Sequence, residues 1–360
     1  SKSGTNASTP AGFNLRHPHP PRYTTCSSDQ SSPSAVDRLS SAPDRTSFWG
    51  EVVYDIIGDI HGHAGPLKRL LDRLGYVESA GVWRHPTRRA LFLGDYIDRG
   101  PEQVEVVRIV RAMVDAGEAL AIMGNHEFNA VAWATPDPHQ AGAYLRPHSA
   151  KNRHQHRAFL DQVKEDSRLH HEMLDWFRTL PLYLDLPELR AVHACWHPEQ
   201  LDRLRPYLDG SGRLRADAWV AAATKGKPLF EAVETVLKGL EVELPDDAAF
   251  QDKDGHPRRE IRTRWWQDSP ASYRDLALVP EATLSSVPDT PVADGVLPGY
   301  DGEKPVFIGH YWLRGEPRPL TADVACLDYS VAARQGGRLA AYRWDGRHPL
   351  SPERFTWVEA

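Results

Sequence analysis

The chain has 360 residues, enough for one large domain or two ordinary ones around a well-buried core. Hydrophobic residues make up 41% and charged residues 26%, the balance of a soluble globular protein. The formal net charge of −6 excludes the basic footprint that stable nucleic-acid binding or an anionic membrane surface calls for. No apolar run reaches the roughly 18–20 residues that span a bilayer, so no membrane partner is expected. Cys26, Cys195 and Cys326 are few, odd in number and far apart. They indicate neither a disulfide framework nor a cysteine zinc site, and they fit a reducing, cytoplasmic setting. The chain opens on Ser1 rather than Met, so its natural start is expected upstream, and no charged-then-apolar leader is visible.

Residues 1–46 are rich in Ser, Pro and Thr and poor in aliphatics. Such a segment buries too little apolar surface to offset chain entropy, and a disordered or surface-laid tail is expected. A folded domain is expected from residue 47 to 360. "VVYDII" is strand-like and runs into "GDIHG"; Leu67, Leu70, Leu71 and Leu74 then repeat at helical spacing. "RRALFL" runs into "GDYIDRG", and "EQVEVVRIVRAMVDAG" predicts an amphipathic helix stopped by Gly117. "EALAIM" runs into "GNHE". This strand–loop–helix pattern, written three times, puts the unusual residues just after each strand, where α/β folds bind ligands. Residues 150–180 read as mostly helical. "ELRAVHACW" is a fourth strand candidate that holds His193. Residues 197–300 contain one predicted helix, "PLFEAVETVLKGL", among Pro, Gly and Asp, and are expected to form an insertion or cap. "KPVFIGHYW", "VACLDYS" and "RLAAYRW" are strand-like again, and the first holds His310.

The polar residues at the strand ends are Asp59 and His61; Asp95, Asp98 and Arg99; Asn125, His126 and Glu127; His193; and His310. Carboxylate oxygen and imidazole nitrogen suit Zn, Mn and Fe. Two such groups sharing one aspartate would hold two cations about 3.5–4 Å apart, the two-metal geometry for phosphate ester hydrolysis. Taken singly, Asp59 also fits a helix cap, Asp98 a turn, and His193 or His310 an ordinary core histidine. It is the joint set that argues for chemistry.

With these motifs in order, the chain resembles the calcineurin-like metallophosphoesterases. The "DRG" form resembles their phosphoprotein phosphatase branch, which includes Ser/Thr protein phosphatases and symmetrical diadenosine tetraphosphatases. The resemblance implies an α/β (α+β) fold of two mixed β-sheets packed face to face, with helices outside and an inserted cap at about 197–300. It implies that Asp59 and His61 bind a first divalent metal and that Asp95 bridges. Asn125, His193 and His310 complete the second. His126 and Asp98 form a proton-handling pair, and Arg99 holds phosphate oxygens. Physical chemistry supports these roles. Water between two cations is acidified toward neutral pH, imidazole titrates near neutrality, and a guanidinium offers a planar fork to two oxygens. Manganese is the first expectation for the two metals, with Fe, Zn and Mg as competitors.

The sequence departs from the family pattern in two places. "HACW" stands where protein phosphatases have "HGG", so Cys195 and Trp196 make a bulkier wall. "CLDYS" stands where the tetraphosphatases have "LDTG". The family's second phosphate-binding arginine falls between the last two histidines. Among Arg258, Arg259, Arg262 and Arg264, the preference is Arg264 and then Arg262; solvated surface arginines are the alternative. His139, His148, His154, His156, His170 and His171 lack one consistent ligand spacing and suggest no separate metal site. Trp265 and Trp266 fit core packing of the cap better than stacking on a nucleobase. The expected activity is hydrolysis of a phosphate monoester, on a phosphoprotein or a small molecule, by attack of metal-activated hydroxide. The alternatives are a symmetrical diadenosine tetraphosphate hydrolase and, more remotely, an inactive binding module on the same fold. Oligomeric state is left open.

Overall fold

A computed structural model describes residues 52–245, 248–251, 257–267 and 270–360. The Ser/Pro-rich stretch at 1–46 and Cys26 lie outside the described residues. In chain order the principal elements begin with β1 (Val53–Ile57), α1 (Ala64–Leu74), β2 (Arg88–Phe92), α2 (Gln103–Asp115) and β3 (Ala119–Ala121). There follow α3 (Asn125–Ala134), α4 (Ala150–Val163), α5 (Arg168–Phe177), β4 (Tyr183–Asp185) and β5 (Arg190–Val192). The chain closes with β6 (Val306–Ile308), β7 (Val324–Cys326), β8 (Asp328–Tyr329), β9 (Arg338–Trp344) and β10 (Phe355–Glu359).

Two sheets result. The first runs β8-β9-β1-β2-β3, with β10 on the other edge of β9; β1, β2 and β3 are parallel and the remaining pairs antiparallel. The second runs β7-β6-β5-β4, parallel except at β4. Side chains alternate along each strand, as a pleat requires. Ile56, Leu91, Phe307, Ala325, Ala340 and Tyr342 join one apolar cluster drawn from both sheets. Their neighbours Ile57, Phe92, Ile308, Cys326 and Ala341 join another, shared with α1 and α2. The first cluster is the filling of a sheet-on-sheet sandwich and the second lies under the helices.

The helices follow from their periodicity. In α1 the residues Leu67, Leu70, Leu71 and Leu74 are all buried, and Gly75 ends the helix in the left-handed conformation at φ 90°. The helical stretch 150–180 is two helices, each begun by a serine whose hydroxyl accepts from a backbone N–H: Ser149 for α4 and Ser167 for α5.

The stretch 197–300 divides near residue 240. Leu201, Leu204, Trp219, Leu229, Val233 and Val236 belong to the main helical core. Leu244, Phe250, Ile261, Tyr273, Leu276 and Val287 form a small apolar cluster of their own. The sequence blurs this division because Pro and Gly break up both halves, while the apolar faces of the helices at 198–204 and 228–238 go to the main core. Trp265 is fully buried, and its indole N–H donates toward the Ala194 carbonyl (3.1 Å) and the Tyr311 hydroxyl (3.0 Å). Trp266 packs edge-on against both Trp265 and Tyr311. The tryptophan pair therefore packs as core, but in the main core rather than in a separate core of the cap.

Candidate metal centre

Each candidate ligand follows the carboxyl end of a parallel strand. Asp59 and His61 follow β1, Asp95 follows β2, Asn125 opens α3 after β3, His193 follows β5, and His310 follows β6. Both sheets thus deliver side chains to one edge of the sandwich. Strain is concentrated there: His61, Asp95, Asp98, Arg99, His310 and Trp312 all have positive φ, between 47° and 73°. Non-glycine residues adopt this region at a cost, and such residues cluster at functional sites.

The loops approach so closely that glycine is required. A Cβ on Gly124 would lie 2.3 Å from both the backbone nitrogen and Oδ1 of Asp95, and one on Gly309 would lie 2.1 Å from Asp59 Oδ1. Glu127 ties the same loops together. Its buried carboxylate accepts the N–H groups of Asp95 (2.9 Å), Tyr96 (2.8 Å) and Gly124 (3.0 Å). Sequence reasoning noted Glu127 among the polar residues without a role; it is the residue that shapes the "GDYIDRG" and "GNHE" loops.

The ring nitrogens are assigned by their partners. His61 Nδ1 donates to the Ile97 carbonyl at 3.1 Å, and His193 Nδ1 donates to the Leu93 carbonyl at 2.7 Å. In both, Nε2 is left to face the site. His61 Nε2 lies 3.8 Å from Asp59 Oδ2 and 3.7 Å from Asp95 Oδ2. His193 Nε2 lies 3.4 Å from Asp95 Oδ1 and 3.1 Å from Asn125 Oδ1, and His310 Nδ1 lies 2.8 Å from the same Asn125 oxygen. His61 Nε2 and His310 Nε2 are buried without a hydrogen-bond partner. Asp95 belongs to two sets of donor atoms, each within 4.8 Å of one another: His61, Asp95 and His126; and Asp95, His193 and His310. Orphaned imidazole nitrogens beside buried carboxylates fit divalent cations, since unpaired buried charge is otherwise costly.

Beside this cluster His126 Nδ1 donates to Asp98 Oδ2 at 2.6 Å, while His126 Nε2 points inward, 3.8 Å from Asp95 Oδ2 and 3.5 Å from Arg99 Nη2. The Arg99 guanidinium lies 3.5 Å above the ring of Trp312, a residue that sequence reasoning did not single out. Its signal was its position two residues after His310. A groove of about 1740 Å³ opens from here, lined by Arg99, His126, Trp312, Arg146, Lys151 and Lys238 among others. Arg262 and Arg264 do not line it. Arg262 faces Glu241 at 3.3 Å, though its charge is felt by His310. Of the six histidines at 139–171, only His156 touches a candidate site residue through a hydrogen bond among the described residues, meeting Asp98 at 2.8 Å. His148 instead stacks between Trp133 and Tyr144.

Residues 53–233, just over half of the chain, match the family model for calcineurin-like phosphoesterases. The chain belongs to that family. It is 47% identical over 74 residues to the asymmetrical bis(5'-nucleosyl)-tetraphosphatase PrpE of Halalkalibacterium halodurans, a match covering 20% of this chain and 30% of that protein. The chain thus spans less than a third of that relative's length. It is 27% identical over 309 residues to the symmetrical bis(5'-nucleosyl)-tetraphosphatase of Vibrio cholerae, covering 82% of this chain and 96% of that one. Among solved structures, the cold-active protein-tyrosine phosphatase of a psychrophilic Shewanella aligns with a TM-score of 0.46 at 16% identity, over 84% of this chain and 81% of that one.

Electrostatics divide the site into charged and neutral groups. Burial, aided by the Arg99 charge, holds His61 well below the ordinary imidazole range. Burial does the same to His310, with Arg262 adding to it. Both rings are therefore neutral, the state a ligand needs. Burial also opposes charge on His193, but Asp95 and Asp59 outweigh it and raise the ring to about 10. Burial and the neighbouring Asp328 carboxyl push Asp59 up. Asp95 is held low despite its burial, by His193 and His126. Two buried carboxylates facing few cations of the chain's own form a site that favours added positive charge. No helix among the described residues is long and apolar enough to cross a membrane.

Proposed function

We propose that the chain is a binuclear metal-dependent phosphoesterase in which Asp59 and His61 hold one cation, Asn125, His193 and His310 hold the other, and Asp95 bridges. The observation that carries this reading is the membership of Asp95 in both sets of donor atoms. When bound, the two cations supply Lewis acidity that activates water and takes up phosphoryl charge. Manganese is the first candidate, chosen for its mixed oxygen and nitrogen donors.

The chain's own residues do the rest. Arg99 reaches the same face as His126 and presents its guanidinium to the phosphoryl oxygens. Trp312 beneath it fixes the plane of that fork. Burial opposes charge on His126, but Asp95 and the bond from Nδ1 to Asp98 outweigh it and favour the imidazolium, whose Nε2 proton passes to the leaving oxygen as the ester bond breaks. Because Asp98 accepts at Nδ1 throughout, the proton that leaves is the one on Nε2, and the ring left behind is the neutral Nδ1–H tautomer. A catalytically inactive role is disfavoured, because every candidate ligand and the proton donor are present.

The first substrate reading is a phosphate monoester, on a protein or a small molecule. A dinucleoside polyphosphate is the second. It is supported by the relationship to the Vibrio cholerae tetraphosphatase across most of both chains. The large groove with Arg146, Lys151 and Lys238 along it also suits a longer anion. The buried free thiols Cys195 and Cys326 are compatible with a cytoplasmic setting. The test is metal analysis together with a substrate panel of para-nitrophenyl phosphate, phosphopeptides and diadenosine tetraphosphate, each with Mn²⁺. Two metals per chain and monoester turnover are expected. Nucleotide release without monoester turnover would replace the first reading by the second, and no turnover of any of them would overturn the phosphoesterase assignment.

A further inference from the structure

Asp98 is fully buried at the head of the "DRG" turn and sits in the left-handed conformation at φ 68°. Each of its carboxylate oxygens has a different imidazole partner. Oδ2 accepts from His126 Nδ1 at 2.6 Å, and Oδ1 accepts from His156 Nδ1 at 2.8 Å. A carboxylate is acceptor-only, so each imidazole carries a proton on Nδ1. The two oxygens of one carboxylate are thus pinned from opposite sides.

His156 itself is fully buried on α4, on the face that also carries Phe159, Leu160 and Val163. That spacing belongs to a core stripe, where an apolar side chain would be the ordinary choice. The ring packs against Phe159 at 5.1 Å and Trp133 at 5.9 Å between centroids. Its Nε2 is buried with no partner. An imidazole there carries an uncompensated polar atom, and its one evident return is the bond to Asp98. The helix is also docked to the segment that follows the turn. Gln162 accepts from the Gln103 N–H at 2.8 Å and donates to the Pro101 carbonyl at 2.5 Å. α4 therefore holds the turn at two points, and one of them is the carboxylate.

We propose that His156 is a positioning residue for the proton-donating step. Its Nδ1–H fixes the rotamer of Asp98, so that Asp98 presents Oδ2 to His126 and His126 presents Nε2 to the leaving oxygen. The inference rests on the role of His126 proposed above. Without His156, the Asp98 carboxylate loses one of its two anchors and the aim of His126 loosens. Binding of the phosphoryl group, which falls to Arg99, is untouched.

The test compares His156→Phe, which keeps the ring volume, with His156→Asn, whose side-chain amide can still donate to Asp98. Both are assayed in the Mn²⁺-loaded enzyme on para-nitrophenyl phosphate and on an alkyl phosphate. The first has a leaving group that needs little protonation and the second one that needs it badly. His156→Phe is expected to lower kcat on the alkyl ester about 10–100-fold, with kcat on para-nitrophenyl phosphate within about threefold and KM unchanged on both. His156→Asn is expected to restore most of the loss. Equal losses on the two esters, or full activity of His156→Phe, would overturn the proposal. If His156→Phe does not fold, His156→Gln, which moves the donor away from Asp98, takes its place with the same expectations. His126→Asn is run alongside. A leaving-group effect in His126→Asn but in no His156 variant sinks only the role of His156; its absence from both sinks the proton-donor reading as well.

Discussion

Asp95 carries the heaviest demand of any single side chain, since it faces His61, His126 and His193 from one buried carboxylate. Asp95→Asn would remove the charge that, in the proposed centre, two cations share. Its turnover is expected to fall at least about a thousandfold, several kcal/mol of transition-state stabilisation, with loss of both metals by elemental analysis. A fully active Asp95→Asn enzyme would refute the bridging role. His126 has a different expected signature. His126→Asn should lower kcat by about 10²–10⁴-fold while metal content stays within a few tens of per cent; parallel loss of metal would make His126 a ligand, as its place in one donor set allows. Trp312 is expected to act only through Arg99. Losing a cation–π contact of about 0.5–1 kcal/mol should raise KM for a phosphate ester roughly two- to fivefold in Trp312→Ala with kcat little changed.

At the scale of elements, the site depends on how closely the loops after β2 and β3 approach. Gly124 is the contact point, since any side chain there meets the backbone and carboxylate of Asp95. Gly124→Ala should therefore separate the two loops and also disturb the Glu127 bonds that join them. A stability loss of about 2–3 kcal/mol by denaturant titration is expected, together with weaker metal binding. Wild-type stability and metal content in Gly124→Ala would show that the loops can part without consequence. Helix α4 works at the same scale. Its core face reaches Asp98 through His156, while Lys151 and Gln155 on the same helix line the groove.

At the scale of the molecule, the proposed ligands bind one sheet to the other. Asp59, Asp95 and Asn125 follow strands of the first sheet, and His193 and His310 follow strands of the second. Cations bound only by the folded protein stabilise it by mass action, about 2.7 kcal/mol at a hundredfold excess over Kd. Chelation should thus lower Tm by several degrees, and Mn²⁺ should restore it. pH enters through His193. In the metal-free protein its raised value of about 10, against an ordinary 6.5, contributes stability that is fully present below about pH 6.5 and is lost as pH rises toward 10. A cation at this site must displace that proton. Metal affinity is therefore expected to rise with pH across the same window, with proton release measurable by calorimetry in buffers of different ionisation enthalpy. Metal binding without proton release between pH 7 and 9 would show that His193 is not a ligand.

The sequence by itself determined the chemistry-bearing loops. A β-strand and the polar residues just past its end are a local pattern, so "GDIHG", "GDYIDRG" and "GNHE" were legible with the strands that precede them, as were the core face of α1 and the strand positions of His193 and His310. Tertiary structure alone decided what depends on distant partners. Asn125 meets His310 across 185 positions, and Asp98 meets His156 across 58. Nothing local marks such pairs; of the six histidines at 139–171 both His156 and His170 face the core, and only the bond to Asp98 sets His156 apart. The same holds for 197–300, where apolar residues of similar spacing go to two different cores, and for Trp265 and Trp266, whose burial is set by Ala194 and Tyr311 far along the chain. Short-range periodicity fixes an element's type and its inward face; which element it meets depends on contacts closed through long loops, and these carry no local signature.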